Sequence, residues 1–189
     1  NSLIRYTKKY EMRHLGCPCE TIQQDNSLMK TAVYTGSFDP ITLGHLNVIE
    51  RSSRLVDHLI IGIGVNIEKT GLFKSDERLD LVHRVTAHLD NVQVETFEGL
   101  AVNFVEKCDA KVMIRGVRPL TDIAAEFTMM MANRALNDEL ETVFLMADGE
   151  YAHVSSSLIK QVTPLATDEQ LARFVPSEII PDLRKKLTS

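Results

Sequence analysis

Cysteine is scarce in this 189-residue chain, with only three residues, Cys17, Cys19 and Cys108. They lack the even count and spacing of a disulfide framework, so reduced thiols in a reducing compartment are expected. "HLGCPC" places His14 beside Cys17 and Cys19, but three potential ligands with no second pair fall short of the usual four, and no metal site is assigned. Long apolar runs are also missing. Nothing approaches the roughly 20 residues needed to span a bilayer, and no charged-then-apolar leader opens the chain, which makes the cytoplasm the default compartment. Positive charge is in deficit. With 21 Lys and Arg against 26 Asp and Glu, the net charge of −5 argues against a general nucleic-acid surface, while a local cation cluster remains free to hold a small polyanion.

What is present is a regular alternation. "TAVYTG" is a short apolar strand candidate, followed by a helix over His45 to Val56 with Leu46, Ile49 and Val56 on one side. "HLIIGIGV" is the continuous apolar run of a strand buried on both faces. Ser75 then reads as an N-cap, with Asp76 and Glu77 suiting the positive end of a helix dipole. "VQVETF", "KVMIRG" and "TVFLMA" supply strands three to five, with helices after each. Composition alone assigns "FTMMMANRAL" to the core more readily than to an interface, although methionine suits adaptable contacts.

Strand and helix alternating five times predict one α/β domain, a Rossmann-like five-stranded parallel sheet with helices on both faces. Residues 29–189 form that domain, and residues 1–28, without a sustained apolar period, read as a poorly ordered extension dispensable for catalysis. An arm supporting assembly is the competing reading of that extension. Ligands of such sheets sit beyond the carboxyl ends of the strands, so the polar segments after each strand converge on one rim.

Three of those segments carry chemistry. In "GSFDPITLGH" a glycine turn leads to a helix start, where unpaired N–H groups and a partial positive charge suit a phosphate. Neither the three-glycine dinucleotide fingerprint nor the phosphate loop ending in Gly-Lys-Ser/Thr is present. Taken alone, a Gly-His pair is as readily a packed or capping histidine. "IRGVR" sets Arg115 and Arg118 around a glycine; a solvated loop is the plain alternative, but arginine forks suit phosphate oxygens. "SSSLIK" offers Ser155, Ser156 and Ser157 at a helix start, where one is a cap and all three together are a candidate phosphate nest. Cys108 reads as a packed thiol rather than a nucleophile.

"GSFDPITLGH" resembles the first signature of the nucleotidyltransferase superfamily. Together with "IRGVR", "ELETVFLM" and "SSSLIK" in this order, it makes the chain from about Met29 onward resemble the bacterial phosphopantetheine adenylyltransferases. That resemblance implies AMP transfer from ATP to 4′-phosphopantetheine, giving dephospho-coenzyme A and pyrophosphate in coenzyme A synthesis, with magnesium brought by ATP. It also implies a cytoplasmic homohexamer. By position it gives Ser37 and Phe38 contacts to ATP, with Ser37 touching the acceptor phosphate as well, and sets His45 on the α-phosphate. Lys69, Arg115 and Ala101 fall on the acceptor side. Gly116, Val117, Arg118, Glu126, Tyr151, Ala152, His153, Val154, Ser155, Ser156 and Ser157 fall on the ATP side. The implied catalytic set is His45, Lys69 and Ser37. The chain departs from many relatives at "DIAAE", where Ala124 and Ala125 replace a Glu and a Tyr, and its lysine loop lacks their proline-lysine-lysine pattern.

A sister adenylyl- or cytidylyltransferase with another acceptor would share the first signature and differ at Lys69 and Arg115. A non-catalytic nucleotide-binding module would bind ATP without releasing pyrophosphate, and a purely structural oligomer would bind no nucleotide.

Overall fold

The computed structural model describes residues 31–65, 70–118 and 122–188. The expected extension over residues 1–28 and the candidate Lys69 lie outside them. Five strands, β1 (Thr31–Gly36), β2 (His58–Val65), β3 (Val92–Glu98), β4 (Val112–Val117) and β5 (Glu141–Met146), form one sheet in the order β3-β2-β1-β4-β5. All neighbours pair in parallel, with Tyr34 of β1 opposite Ile61 of β2 and Ile114 of β4. Between them run α1 (Leu43–Ser53), α2 (Ser75–Thr86), α3 (Ala101–Lys107) and α4 (Ile123–Leu136), and after β5 come α5 (Ser156–Val162), α6 (Asp168–Leu171) and α7 (Ile180–Leu187). Among the described residues, no helix is long and apolar enough to cross a membrane.

Right-handed crossovers decide which helices share a face. The chain steps outward from β1 to β3 and then returns past β1 to β4 and β5, so α1 and α2 lie on one face and α3 and α4 on the other. Strand side chains alternate accordingly. Tyr34, Ile61, Ile63 and Ile114 join Ile49, Leu81, Ile159 and Leu183 in the larger core, whereas Val33 and Met113 join Val102, Phe104 and Val105 in the smaller one. Each fully buried aliphatic side chain contributes about 1.5–3 kcal/mol, so these two layers supply the bulk of the stability.

Two expectations are corrected. Ser75 is the first residue of α2 rather than its cap: Lys74 occupies the cap position and its backbone N–H donates to Glu77 Oε2 at 2.8 Å. The glutamate supplies the reciprocal half of a capping box, so the helix starts without a serine oxygen. The apolar run of α4 is not core. Phe127, Met129, Met131 and Leu136 are all more than half exposed, and the buried residue of the helix is Asn133. The reason is position, because α4 follows β4 at the β5 side of the sheet and these side chains meet no covering layer among the described residues.

The turn after β1 is anchored by a buried carboxylate. Asp39 accepts from the Leu72 N–H at 2.9 Å, the Phe73 N–H at 2.8 Å and Lys160 Nζ at 2.6 Å. Burial by itself would raise its pKa; Lys160 and the two N–H groups outweigh that and hold the carboxyl below its ordinary range. Gly71 lies against it, and a Cβ there would come within 3.2 Å of Asp39 Oδ2. Removing one partner of such an arrangement leaves the others desolvated and unpaired. Asp39→Ala is therefore expected to lose about 3 kcal/mol of unfolding free energy in urea, while Leu165→Ala, at a position 88% exposed, stays within about 0.5 kcal/mol of the parent.

Candidate active site

A cavity of about 340 Å³ opens at the carboxyl ends of β1 and β4, where the strand order reverses. This crossover is where open α/β sheets hold their ligands. Its walls come from the turn after β1, the start of α1, the end of β4, the start of α4, and the segment between β5 and α5. Close approach is built in at Gly116, where a Cβ would stand 2.7 Å from the Tyr34 hydroxyl.

His45 is the third residue of α1, and Thr42 is the cap. Thr42 Oγ1 accepts from the His45 N–H at 3.3 Å, and the Thr42 N–H donates to His45 Nδ1 at 3.1 Å. The histidine thus takes the place that a Glu or Gln fills in a capping box. Since Nδ1 accepts a backbone N–H, the proton of the neutral ring sits on Nε2. Burial first, and the charge of Arg118 second, push the imidazole down to about 4. His45 is therefore a neutral donor at ordinary pH. Phe38 lies beneath it, fully buried, with ring centroids 5.2 Å apart and a positive φ of 46° that turns the chain sharply. Non-glycine residues take this backbone region at a cost and hold it where packing over-determines it.

The two arginines face the cavity already engaged. Arg115 donates from Nε and Nη2 to Glu126, each at 2.7 Å, and from Nη1 to the Thr35 carbonyl at 2.8 Å. Burial opposes its charge, and Glu126 outweighs that and raises its pKa. Arg118 donates from Nε and Nη2 to Asp122 at 2.7 and 2.8 Å. Across the cavity, Ser155 caps α5 by accepting from the Leu158 N–H at 3.1 Å, and Ser156 Oγ donates to the Pro40 carbonyl at 2.8 Å. Asn47 and Arg51 of α1 hold Asp148 by side-chain bonds of 2.7 and 3.2 Å, which fixes the approach to Tyr151.

Ser37, His45, Arg115, Gly116, Val117, Arg118, Glu126, Tyr151, Val154, Ser155, Ser156 and Ser157 all line the cavity. Phe38, Ala152 and His153 do not: Phe38 supports His45 from below, and the His153 ring packs 5.8 Å from that of Phe174. Ala101 opens α3 and packs against the smaller core, away from the cavity. Sequence reasoning passed over Asp122, Thr35 and Tyr34 as wall residues. Asp122 stands four residues after Arg118, a spacing that favours an ion pair, so that signal was available. Among the described residues no group of three His, Cys, Asp or Glu side chains is placed to hold a metal ion.

Comparison with known proteins adds relatives to this geometry. Residues 33–162 match the cytidylyltransferase-like family. A phosphopantetheine adenylyltransferase of Rhodopirellula baltica is 62% identical over 159 residues, covering 84% of this chain and 89% of that protein. A protein of the same name from Clostridium botulinum is 47% identical over 159 residues, covering 84% of this chain and 96% of its own length. In fold, the chain resembles a putative nicotinate-nucleotide adenylyltransferase of Vibrio parahaemolyticus, with a TM-score of 0.60 at 18% identity over 84% of this chain and 93% of that one. A Plasmodium falciparum nicotinic acid mononucleotide adenylyltransferase also gives 0.60, at 14% identity over 85% and 96% of the two chains. Matched by that family over residues 33–162 and sharing 62% and 47% identity with those two relatives over most of its length, the chain belongs to the phosphopantetheine adenylyltransferases of the cytidylyltransferase-like family and is a nucleotidyltransferase.

Proposed function

We propose that the cavity joins ATP to 4′-phosphopantetheine, releasing pyrophosphate and forming dephospho-coenzyme A. The observation that carries this reading is the convergence on one crossover cavity of a neutral His45 donor, two arginines and the serine turn. Nucleotidyl transfer requires positioning and charge stabilisation rather than a protein nucleophile. An oxygen of the acceptor phosphate attacks the α-phosphorus, and the bond to the bridging oxygen of the leaving pyrophosphate breaks in line. His45 Nε2–H donates to the α-phosphate oxygen on which charge builds, held for that task by Thr42 on its other nitrogen. Pyrophosphate departs towards Arg118 and the turn at residues 155–157. Lys69 acts on the acceptor side with Ser37 and Arg115 in this reading.

Magnesium fits as a companion of the triphosphate, because the cavity carboxylates Asp122 and Glu126 are already paired with arginines. It supplies charge neutralisation when bound. Reduced thiols and these substrates fit a cytoplasmic enzyme. The exposed apolar side chains of α4, with Met146 of β5 also half exposed, fit the self-association of a homo-oligomer, for which we favour a hexamer.

A pyrophosphate-release assay with ATP, magnesium and 4′-phosphopantetheine is expected to show turnover, and the absence of turnover with that acceptor, against turnover with another, would reassign the substrate. His45→Ala is expected to lower kcat by about 100- to 1,000-fold with a smaller effect on substrate affinity, the scale for one lost preorganised donor. Because its pKa is depressed in the folded protein, His45 contributes stability that is complete above about 6.5 and is lost as pH falls towards 4. NMR titration is expected to place its midpoint near 4 with Nε2 protonated; a midpoint near 6.5 contradicts the neutral-donor role. Arg115→Ala is expected to weaken 4′-phosphopantetheine binding about tenfold or more and also to lower the melting temperature, since Glu126 loses its partner, whereas Arg118→Ala chiefly weakens ATP. Equal calorimetric losses of both ligands in both variants exclude this division. Introducing Phe127→Glu with Met131→Glu is expected to lower the mass measured by analytical ultracentrifugation, and an unchanged mass rejects α4 as the contact.

A further inference from the structure

Arg78 has no part in the roles assigned above, yet its environment is unusual. It projects from the first turn of α2, is 8% exposed, and has no carboxylate partner among the described residues. One nitrogen, Nη1, donates to the Ser37 carbonyl at 2.8 Å and to the Gly64 carbonyl at 3.1 Å. The Nε is buried and, among the described residues, has no hydrogen-bond partner. Buried cations are ordinarily neutralised, and buried N–H groups are ordinarily satisfied. Both departures occur directly beneath Ser37, whose side chain lines the cavity. Its neighbours differ in this respect: Arg115 is closed on Glu126, Arg118 on Asp122, and Lys160 on Asp39.

We propose that Arg78 is a positioning residue for the acceptor phosphate, tying Ser37 to the end of β2 and setting under that corner of the cavity a positive charge that no carboxylate among the described residues compensates. The inference rests on the reading of the site as joining ATP to a phosphorylated acceptor. In-line displacement sets its side. The leaving pyrophosphate lies towards Arg118 and the serine turn, so the incoming phosphate approaches from the opposite wall, formed by Thr35, Ser37 and Arg115. Arg78 holds the main chain of that wall through the Ser37 carbonyl. A charge buried there is screened less than one in water, and it favours the more anionic of two otherwise similar acceptors.

Charge and cross-link separate in two substitutions. Arg78→Gln keeps a donor for the carbonyls and removes the charge; Arg78→Lys keeps the charge and one donor position. Calorimetry with 4′-phosphopantetheine, pantetheine and ATP, alongside melting temperatures, is expected to show about a tenfold loss of 4′-phosphopantetheine affinity in Arg78→Gln. Affinities for ATP and for pantetheine, which lacks the phosphate, are expected to stay within about twofold, and Arg78→Lys to recover acceptor affinity to within about threefold. Equal losses for all three ligands, or a loss in Arg78→Lys as large as in Arg78→Gln, reduce Arg78 to a structural cross-link and overturn the proposal, as does unchanged acceptor affinity in Arg78→Gln. Wild-type protein that binds no 4′-phosphopantetheine overturns the substrate assignment instead, a result distinct from wild-type binding that Arg78→Gln leaves intact.

Discussion

The Asp39 carboxylate joins three parts of the chain that are distant in sequence. It belongs to the turn after β1, accepts two N–H groups from the segment entering α2, and receives Lys160 from α5, the helix that follows the serine turn. The turn after β1 and the start of α5 both border the cavity. Placing an acidic residue at 8% exposure is unfavourable unless every oxygen is satisfied, and here both are. The geometry of the site thus depends on a group that does not itself line the cavity. Ser156, donating to the Pro40 carbonyl one residue further on, ties the serine turn to the same corner.

A second constraint is that groups offered for chemistry are also holding the backbone. His45 completes the cap of α1 with the nitrogen it does not present to the cavity, and its tautomer follows from that bond. Arg115 spends all three nitrogens on Glu126 and Thr35, which orients its guanidinium before any ligand arrives. Such orientation lowers the entropy lost on binding, the same benefit that a preformed oxyanion site confers. It has a cost, since any anion meeting Arg118 shares it with Asp122 rather than finding an unpaired fork.

Most of the fold was legible because a parallel sheet covered on both faces requires continuous apolar strands, and "HLIIGIGV" and "TAVYTG" declare themselves without their partners. The place of the cavity was legible because the crossover rule gathers the segments after the strands, and twelve of the residues that the resemblance assigned to the site do line it. What stayed hidden depends on partners remote in sequence. Asp39 meets Leu72, Phe73 and Lys160, and Arg78 meets Ser37, at separations no local pattern records. Ser75 misled because serine is a common cap while Glu77 can supply the missing acceptor from the third position. The methionine-rich α4 misled for the opposite reason, since apolar composition does not by itself place a side chain inside.

Seen as a charge distribution, the rim explains how an acidic protein holds polyanions. With a net charge of −5, the molecule as a whole repels them, and attraction has to be local. Arg115 and Arg118 are each nearly neutralised by a carboxylate at 2.7 Å, so before ligand arrives they contribute directed donors more than net field. His45, neutral in ordinary conditions, contributes a donor and no field. Among the described residues, net positive potential beside the cavity comes from the first N–H groups of α1 and from Arg78, a buried cation with no carboxylate partner there. The arrangement separates two tasks. In the proposed reading, paired arginines fix where phosphate oxygens bind and the charge beneath Ser37 sets how strongly an anion is drawn to that corner, so geometry and attraction can vary independently at one site.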